Sequence, residues 1–215
     1  MICISLFDFT FAYRTFSILI MNDTREYIID KAYGLFLNRS YEAVSISEIS
    51  KAIGFTKGAL YHHFKNKEEL FKAVIDKYLF INTLDVEAQK ISLAEYINES
   101  IQYAENIMSG IMGNTENFMP INYISLFIDA IRHYPSFYKE KETLINGELE
   151  KIKVVLNNAV VSGEIRNDID VTVTALNYIS IMYGIASNLV QNNSLESAIS
   201  VLKLQFDELY KLLKV

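Results

Sequence analysis

The sequence predicts an all-α protein, and three observations carry that expectation. Apolar residues recur at the helical period through almost the whole chain. Only two prolines and eight glycines occur in 215 residues, too few for a turn-dense all-β architecture. No long stretch alternates apolar and polar residues as a half-buried strand would. Apolar residues make up 51% of the chain and charged residues 21%, enough to bury a substantial core and against disorder.

The elements follow in order. Asp23 and Thr24 are N-cap residue types, and Ile28, Ile29, Ala32, Leu35 and Phe36 then share one face of a first helix. Ser45 with Glu48 three residues later makes a capping box, opening a short helix that carries Ile46, Ile49, Ala52 and Ile53 and stops at Gly54. Thr56 caps a third helix, Lys57 to Phe64. Asn66 with Glu69 repeats the capping pattern and opens a fourth helix, expected to run through about Leu84. Longer helices follow at Leu93–Ile111, Ile121–Tyr134, Ser136–Val161, Val171–Val190 and Leu195–Leu213, with Pro135 ending the second of these and Gly163 the third.

The single cysteine, Cys3, excludes a disulfide framework and a thiolate metal cluster. The net charge of −6 argues by itself against a nucleic-acid protein, but the charge is unevenly spread. Residues 21–77 carry nine basic and eight acidic side chains, a net of +1, whereas residues 78–215 carry ten and seventeen, a net of −7. Within residues 44–67, Lys51, Lys57, Lys65 and Lys67 face only Glu48. Such a basic segment on an acidic chain suits a small anion-binding module, with a solvated face as the plain alternative.

Residues 1–20 are apolar and aromatic, yet lack a basic leader and a small-residue cleavage site, and Asp8 and Arg14 interrupt them. They are taken as an extension ahead of a functional start at Met21, with an N-terminal arm as the alternative. The expectation is a cytoplasmic protein with no membrane segment.

Two short helices joined by a glycine turn form a helix-turn-helix, whose second helix enters the major groove. Gly54 suits a turn at positive φ. Ile49, Ile53, Phe55 and Leu60 are spaced to pack the pair together. That leaves Ser45, Ser47, Thr56, Lys57, Tyr61, His62, His63 and Lys67 on a polar outer side. Gly58 and Ala59 are small enough to let the helix backbone approach base edges.

The run Ile53-Gly54-Phe55-Thr56-Lys57-Gly58-Ala59-Leu60-Tyr61-His62-His63-Phe64-Lys65-Asn66-Lys67-Glu68-Glu69-Leu70, preceded by Ser45, Ile49 and Ser50, resembles the DNA-binding domain of TetR-type (tetracycline-repressor-like) transcriptional regulators. The likeness covers about fifty residues, from Thr24 to Ala73. Ser50 departs from it, since the family more often has alanine there. The stretch Gly163 to Asp170 also resembles the family's link between its seventh and eighth helices.

The resemblance implies roles for individual residues. Ser45 and Thr56 meet phosphates through hydroxyls and helix N-terminal N–H groups. Ser47 and Lys57 reach base edges, Lys57 favouring guanine. Tyr61, His63 and Lys67 clamp phosphates, and His62 touches either backbone or base. Residues 21–68 are then the helix-turn-helix DNA-binding domain, and residues 69–215 a larger helical domain for ligand binding and dimerisation.

The function expected is a repressor released from a palindromic, double-stranded DNA operator by a small hydrophobic or aromatic effector. The alternative is a DNA-binding dimer that signals through a protein partner. The last two helices carry more apolar surface than one face requires, which points to a homodimer. The helix Leu93–Ile111 is apolar on two sides, so Tyr96, Tyr103 and Ile107 can face Tyr123 and Phe127 around an effector pocket. A filled core is the plain alternative there.

No enzyme is expected. His62 and His63 are adjacent and diverge by about 100° on a helix, so they cannot bind one metal as a pair four apart would. His133 stands alone, and no glycine spacing forms a phosphate loop. No cofactor or metal is expected.

Overall fold

The structure is a computed structural model that describes residues 23–80, 84–113 and 118–215. Reading of residues 1–20 and of a start at Met21 therefore lies outside the described residues. The chain forms two compact units that divide between Leu79 and Phe80.

The first unit holds α1 (residues 23–38), a 3-10 turn at Tyr41–Ala43, α2 (Ile46–Ile53), α3 (Lys57–His63) and α4 (Lys67–Tyr78). Asp23 and Thr24, read as caps, are already helical. Ile28, Ile29, Ala32 and Phe36 are buried on α1 as the periodicity requires. Leu35 is only half-buried, while Tyr33 and Leu37 are enclosed, so the core stripe lies slightly round the helix from the expected one.

Aromatic packing joins α1 to α4. Tyr33 stacks on Tyr78 with ring centres 3.7 Å apart, and Phe71 meets Phe36 at 5.0 Å and Tyr41 at 4.7 Å. Lys77 bridges Glu26 at 2.7 Å and Asp30 at 2.5 Å, and the Tyr78 hydroxyl donates to Asp30 at 2.8 Å. These contacts place α4 within the first unit, whereas the sequence boundary at 68/69 assigns it to the second. The helix also closes earlier than expected. Its last turn ends at Tyr78, where Leu79 N–H donates to the Ile75 carbonyl at 2.8 Å, not near Leu84. Phe80 instead packs in the second unit, 5.8 Å from Tyr134 and 5.3 Å from Phe137. Ring burial there outweighs one more helical residue.

The second unit holds α5 (Leu93–Gly113), α6 (Pro120–His133), α7 (Phe137–Ser162), α8 (Val171–Asn192) and α9 (Leu195–Leu213). Helix α6 starts at Pro120, which occupies the first helical turn where its missing N–H costs nothing. Helix α7 ends at Gly163, in the left-handed region at φ 75°. The core runs between α5, α7, α8 and α9 and encloses Tyr96, Ile152, Ala175, Leu202 and Phe206.

The link between α7 and α8 locks this unit. The Glu164 carboxylate accepts from the N–H groups of Leu93 at 3.0 Å and Ala94 at 2.9 Å, capping α5, and also accepts from the Tyr210 hydroxyl at 3.1 Å. Arg166 N–H donates to the Leu213 carbonyl at 2.8 Å. Helix α8 contains no charged residue and is long and apolar enough, by length and composition, to span a membrane. Its buried side packs on α7 and α9.

Candidate nucleic-acid interface and effector region

The helix-turn-helix is built from local caps. Ser45 Oγ accepts from Glu48 N–H at 3.3 Å, and the Glu48 carboxylate accepts from Ser45 N–H at 2.9 Å, so both halves of the capping box are made. Arg39 donates to Glu48 at 2.6 Å and to the Ala43 carbonyl at 2.7 Å, tying the end of α1 to the start of α2. The Arg39 hydrogen bond, then those from Ser45, lower the Glu48 carboxyl to about 2. Arg39 has no place in the sequence-derived site. Its contact with Glu48 spans nine residues of chain and carries no local signature.

Gly54 closes α2 at φ 73°, a conformation that side-chain-bearing residues resist. Thr56 Oγ1 accepts from Ala59 N–H at 3.2 Å and caps α3. Ile49, Ile53 and Leu60 are buried between the helices, and Phe55 is half-buried with its ring 6.3 Å from Tyr27. These contacts help to set the frame.

The outer face carries most of the residues expected there. Ser45, Ser47, Thr56, Lys57, Gly58, Tyr61 and His62 are exposed, and Ala59 and His63 are half-buried. A Cβ on Gly58 would meet only Thr56 Oγ1, at 3.9 Å, which is ordinary contact. Packing does not demand glycine at this position.

Lys67 differs from the rest. It is half-buried, and its ammonium donates to the carbonyls of Tyr41 at 3.0 Å and Val44 at 3.1 Å, above the Tyr41 ring at 4.0 Å. Two of its three N–H groups are thus directed inward. They satisfy carbonyls of the connection that leads into Ser45.

The five residues expected around an effector are placed unevenly. Tyr96 is fully enclosed, its hydroxyl donating to Glu148 and its ring 5.7 Å from that of Tyr178. Tyr103 and Ile107 on α5, and Tyr123 and Phe127 on α6, are half-buried. Phe127 meets Phe137 edge-on at 5.2 Å. Glu148, the partner of the Tyr96 hydroxyl, was not legible in the sequence, where it is one of four acidic residues on α7.

Residues 28–74 match the family model described as bacterial regulatory proteins, tetR family. The TetC protein of transposon Tn10 from Escherichia coli is 35% identical over 106 residues, which cover 47% of this chain and 51% of that protein. The regulator AcrR of Shigella flexneri is 44% identical over 52 residues, 24% of either chain. The match thus spans about half of the first relative and a quarter of the second. The repressor AcnR of Corynebacterium efficiens is 24% identical over 85% of this chain and 90% of its own.

Among solved structures, a TetR-family regulator from Cytophaga hutchinsonii superposes with a TM-score of 0.65 at 19% identity, over 91% of this chain and 96% of that one. A complex of SmeT with triclosan gives 0.63 at 18% identity, over 90% and 92%. Residues 28–74 thus carry a tetR-family helix-turn-helix, and the chain as a whole shares the fold of TetR-type transcriptional regulators.

Proposed function

We propose that the protein is a homodimeric repressor that binds a palindromic operator and is released by a small apolar or aromatic effector in the cytoplasm. The observation that carries this reading is the exposed face of Lys57, Gly58, Tyr61 and His62 on a frame capped by Ser45 and Thr56. Lys57 and Ser47 read base edges, while Ser45, Thr56, Tyr61 and His63 meet phosphates. Lys67 acts one step back, holding the turn that presents Ser45.

Dimerisation is supported by α8 and α9. Val173 and Leu176 on the charge-free α8 are 51% and 48% exposed, and Leu204 and Leu212 on α9 are 61% and 72% exposed. Pairing these faces with those of a second copy removes them from water and makes a four-helix interface. Two recognition helices then imply half-sites about 34–36 Å apart or a multiple of that. The complex of SmeT with triclosan, whose fold is similar, supports an effector-binding second unit, and NalD, a repressor of similar fold, supports repression. Complete reversal of operator occupancy requires the effector to favour the released state by about 5.5 kcal/mol.

Sequencing genomic fragments retained by the purified protein tests the reading. A shared inverted repeat is expected, together with a dimer in sedimentation. Full affinity from a monomer overturns the dimer.

A further inference from the structure

Arg25 lies in the first turn of α1, outside α2 and α3, and its guanidinium carbon stands 4.8 Å from the centre of the Phe64 ring. Phe64 is buried and closes α3, its N–H donating to the Leu60 carbonyl at 3.1 Å. In the chain it separates His63 from the exposed Lys65. Arg25 is thereby fixed at the end of the helix that carries Lys57, Tyr61 and His62.

The start of α3 meets α1 as well. Phe55, next to the Thr56 cap, has its ring 6.3 Å from that of Tyr27, and the Lys31 ammonium stands 5.7 Å from the same Tyr27 ring. Helix α1 therefore touches both ends of α3 and brings a basic side chain to each.

Its partner sets Arg25 apart from other cations of this unit. Arg39 pairs with Glu48 at 2.6 Å, Lys72 with Asp76 at 3.1 Å, and Lys77 with both Glu26 and Asp30. Among the described residues, Arg25 has no carboxylate partner and donates no hydrogen bond. A carboxylate cancels the charge that it holds, whereas an aromatic ring positions a cation without neutralising it. A guanidinium also carries five N–H donors in one plane, and contact with a ring leaves them free to bond elsewhere. Arg25 thus keeps its charge and its donors at the edge of the recognition helix. Phosphate oxygens match that planar fork.

We infer that Arg25 binds a DNA phosphate with Phe64 as its platform, so that the contact surface extends from α3 onto α1. The inference rests on the DNA-binding reading above and adds to it a residue outside α2 and α3.

Binding of the full chain to a retained genomic fragment and to a duplex of random sequence, each over a range of salt, is the test. Arg25→Met keeps an apolar cover on Phe64 and removes the charge. It should weaken both duplexes by the same factor, roughly tenfold at about 0.1 M salt, and make the salt slope shallower by about one unit. Arg25→Lys should restore the slope. Lys72→Met removes a cation that is already paired and should leave the slope unchanged.

An unchanged slope in Arg25→Met, whatever its melting temperature, overturns the phosphate contact and leaves Arg25 as a brace for Phe64. An equal change in Lys72→Met overturns it too, because the slope then follows net charge alone. A loss confined to the genomic fragment replaces the phosphate with a base. If Arg25→Met does not fold, the slope of Arg25→Gln decides in the same way. If the parent protein binds neither duplex, the DNA-binding reading itself falls and takes this inference with it.

Discussion

Lys67 donates to the backbone carbonyl of Tyr41 at 3.0 Å while standing 4.0 Å from the centre of that residue's own ring. One side chain thus secures both the main chain and the aromatic face of a 3-10 turn. A phosphate clamp would keep its charge outward, so the two roles predict different salt behaviour. Lys67→Met should cost about 1–3 kcal/mol of stability by orphaning two carbonyls. Operator affinity should fall with the slope of log affinity against log salt unchanged. A slope shallower by about one unit returns Lys67 to direct phosphate contact.

Lys57 is exposed at the first position of α3, beside the bare Gly58. Lys57→Ala should relax preference at one or two operator positions, at about 1–3 kcal/mol each. Selection from a randomised operator library reads this directly. An affinity loss spread evenly over all positions means that Lys57 meets phosphate.

Ser50 is buried on α2, and its hydroxyl has no hydrogen-bond partner. The family resemblance places alanine more often at this position. Ser50→Ala should therefore stabilise the protein by about 1 kcal/mol, visible as a higher melting temperature. A lower melting temperature shows that the hydroxyl has a partner in solution.

Glu48 gives a pH dependence with a definite sign. Hydrogen bonds from Arg39 and Ser45 hold its carboxyl near 2 in the folded chain, against an ordinary 4.5. The unfolded chain binds the proton more readily, so the contribution is complete above about pH 4.5 and is lost as pH falls toward 2. Urea unfolding of Glu48→Gln between pH 2 and 6 should show a flatter stability profile than the parent. Identical profiles mean that the Arg39 contact is absent in solution.

Much of the first unit was legible because its determinants are local. The Ser45–Glu48 box, the Asn66 cap on Glu69 N–H at 2.8 Å and the Gly54 turn each act within four residues. The end of α4, by contrast, follows from where Phe80 finds partners, and a helical period does not carry that information. The effector residues were chosen by face, and periodicity alone cannot distinguish an enclosed Tyr96 from a half-buried Tyr103.

By itself the sequence determined the helical class, the helix-turn-helix and the span of α9, because caps, turns and apolar period are encoded by neighbours along the chain. Tertiary structure alone decided the task of Lys67, the Glu164 cap on α5 and the pairing of Tyr96 with Glu148. These contacts join residues 26, 71 and 52 positions apart. The physical reason is that a buried N–H, carbonyl or carboxylate must find a partner wherever packing places one, and only the fold sets which distant groups meet.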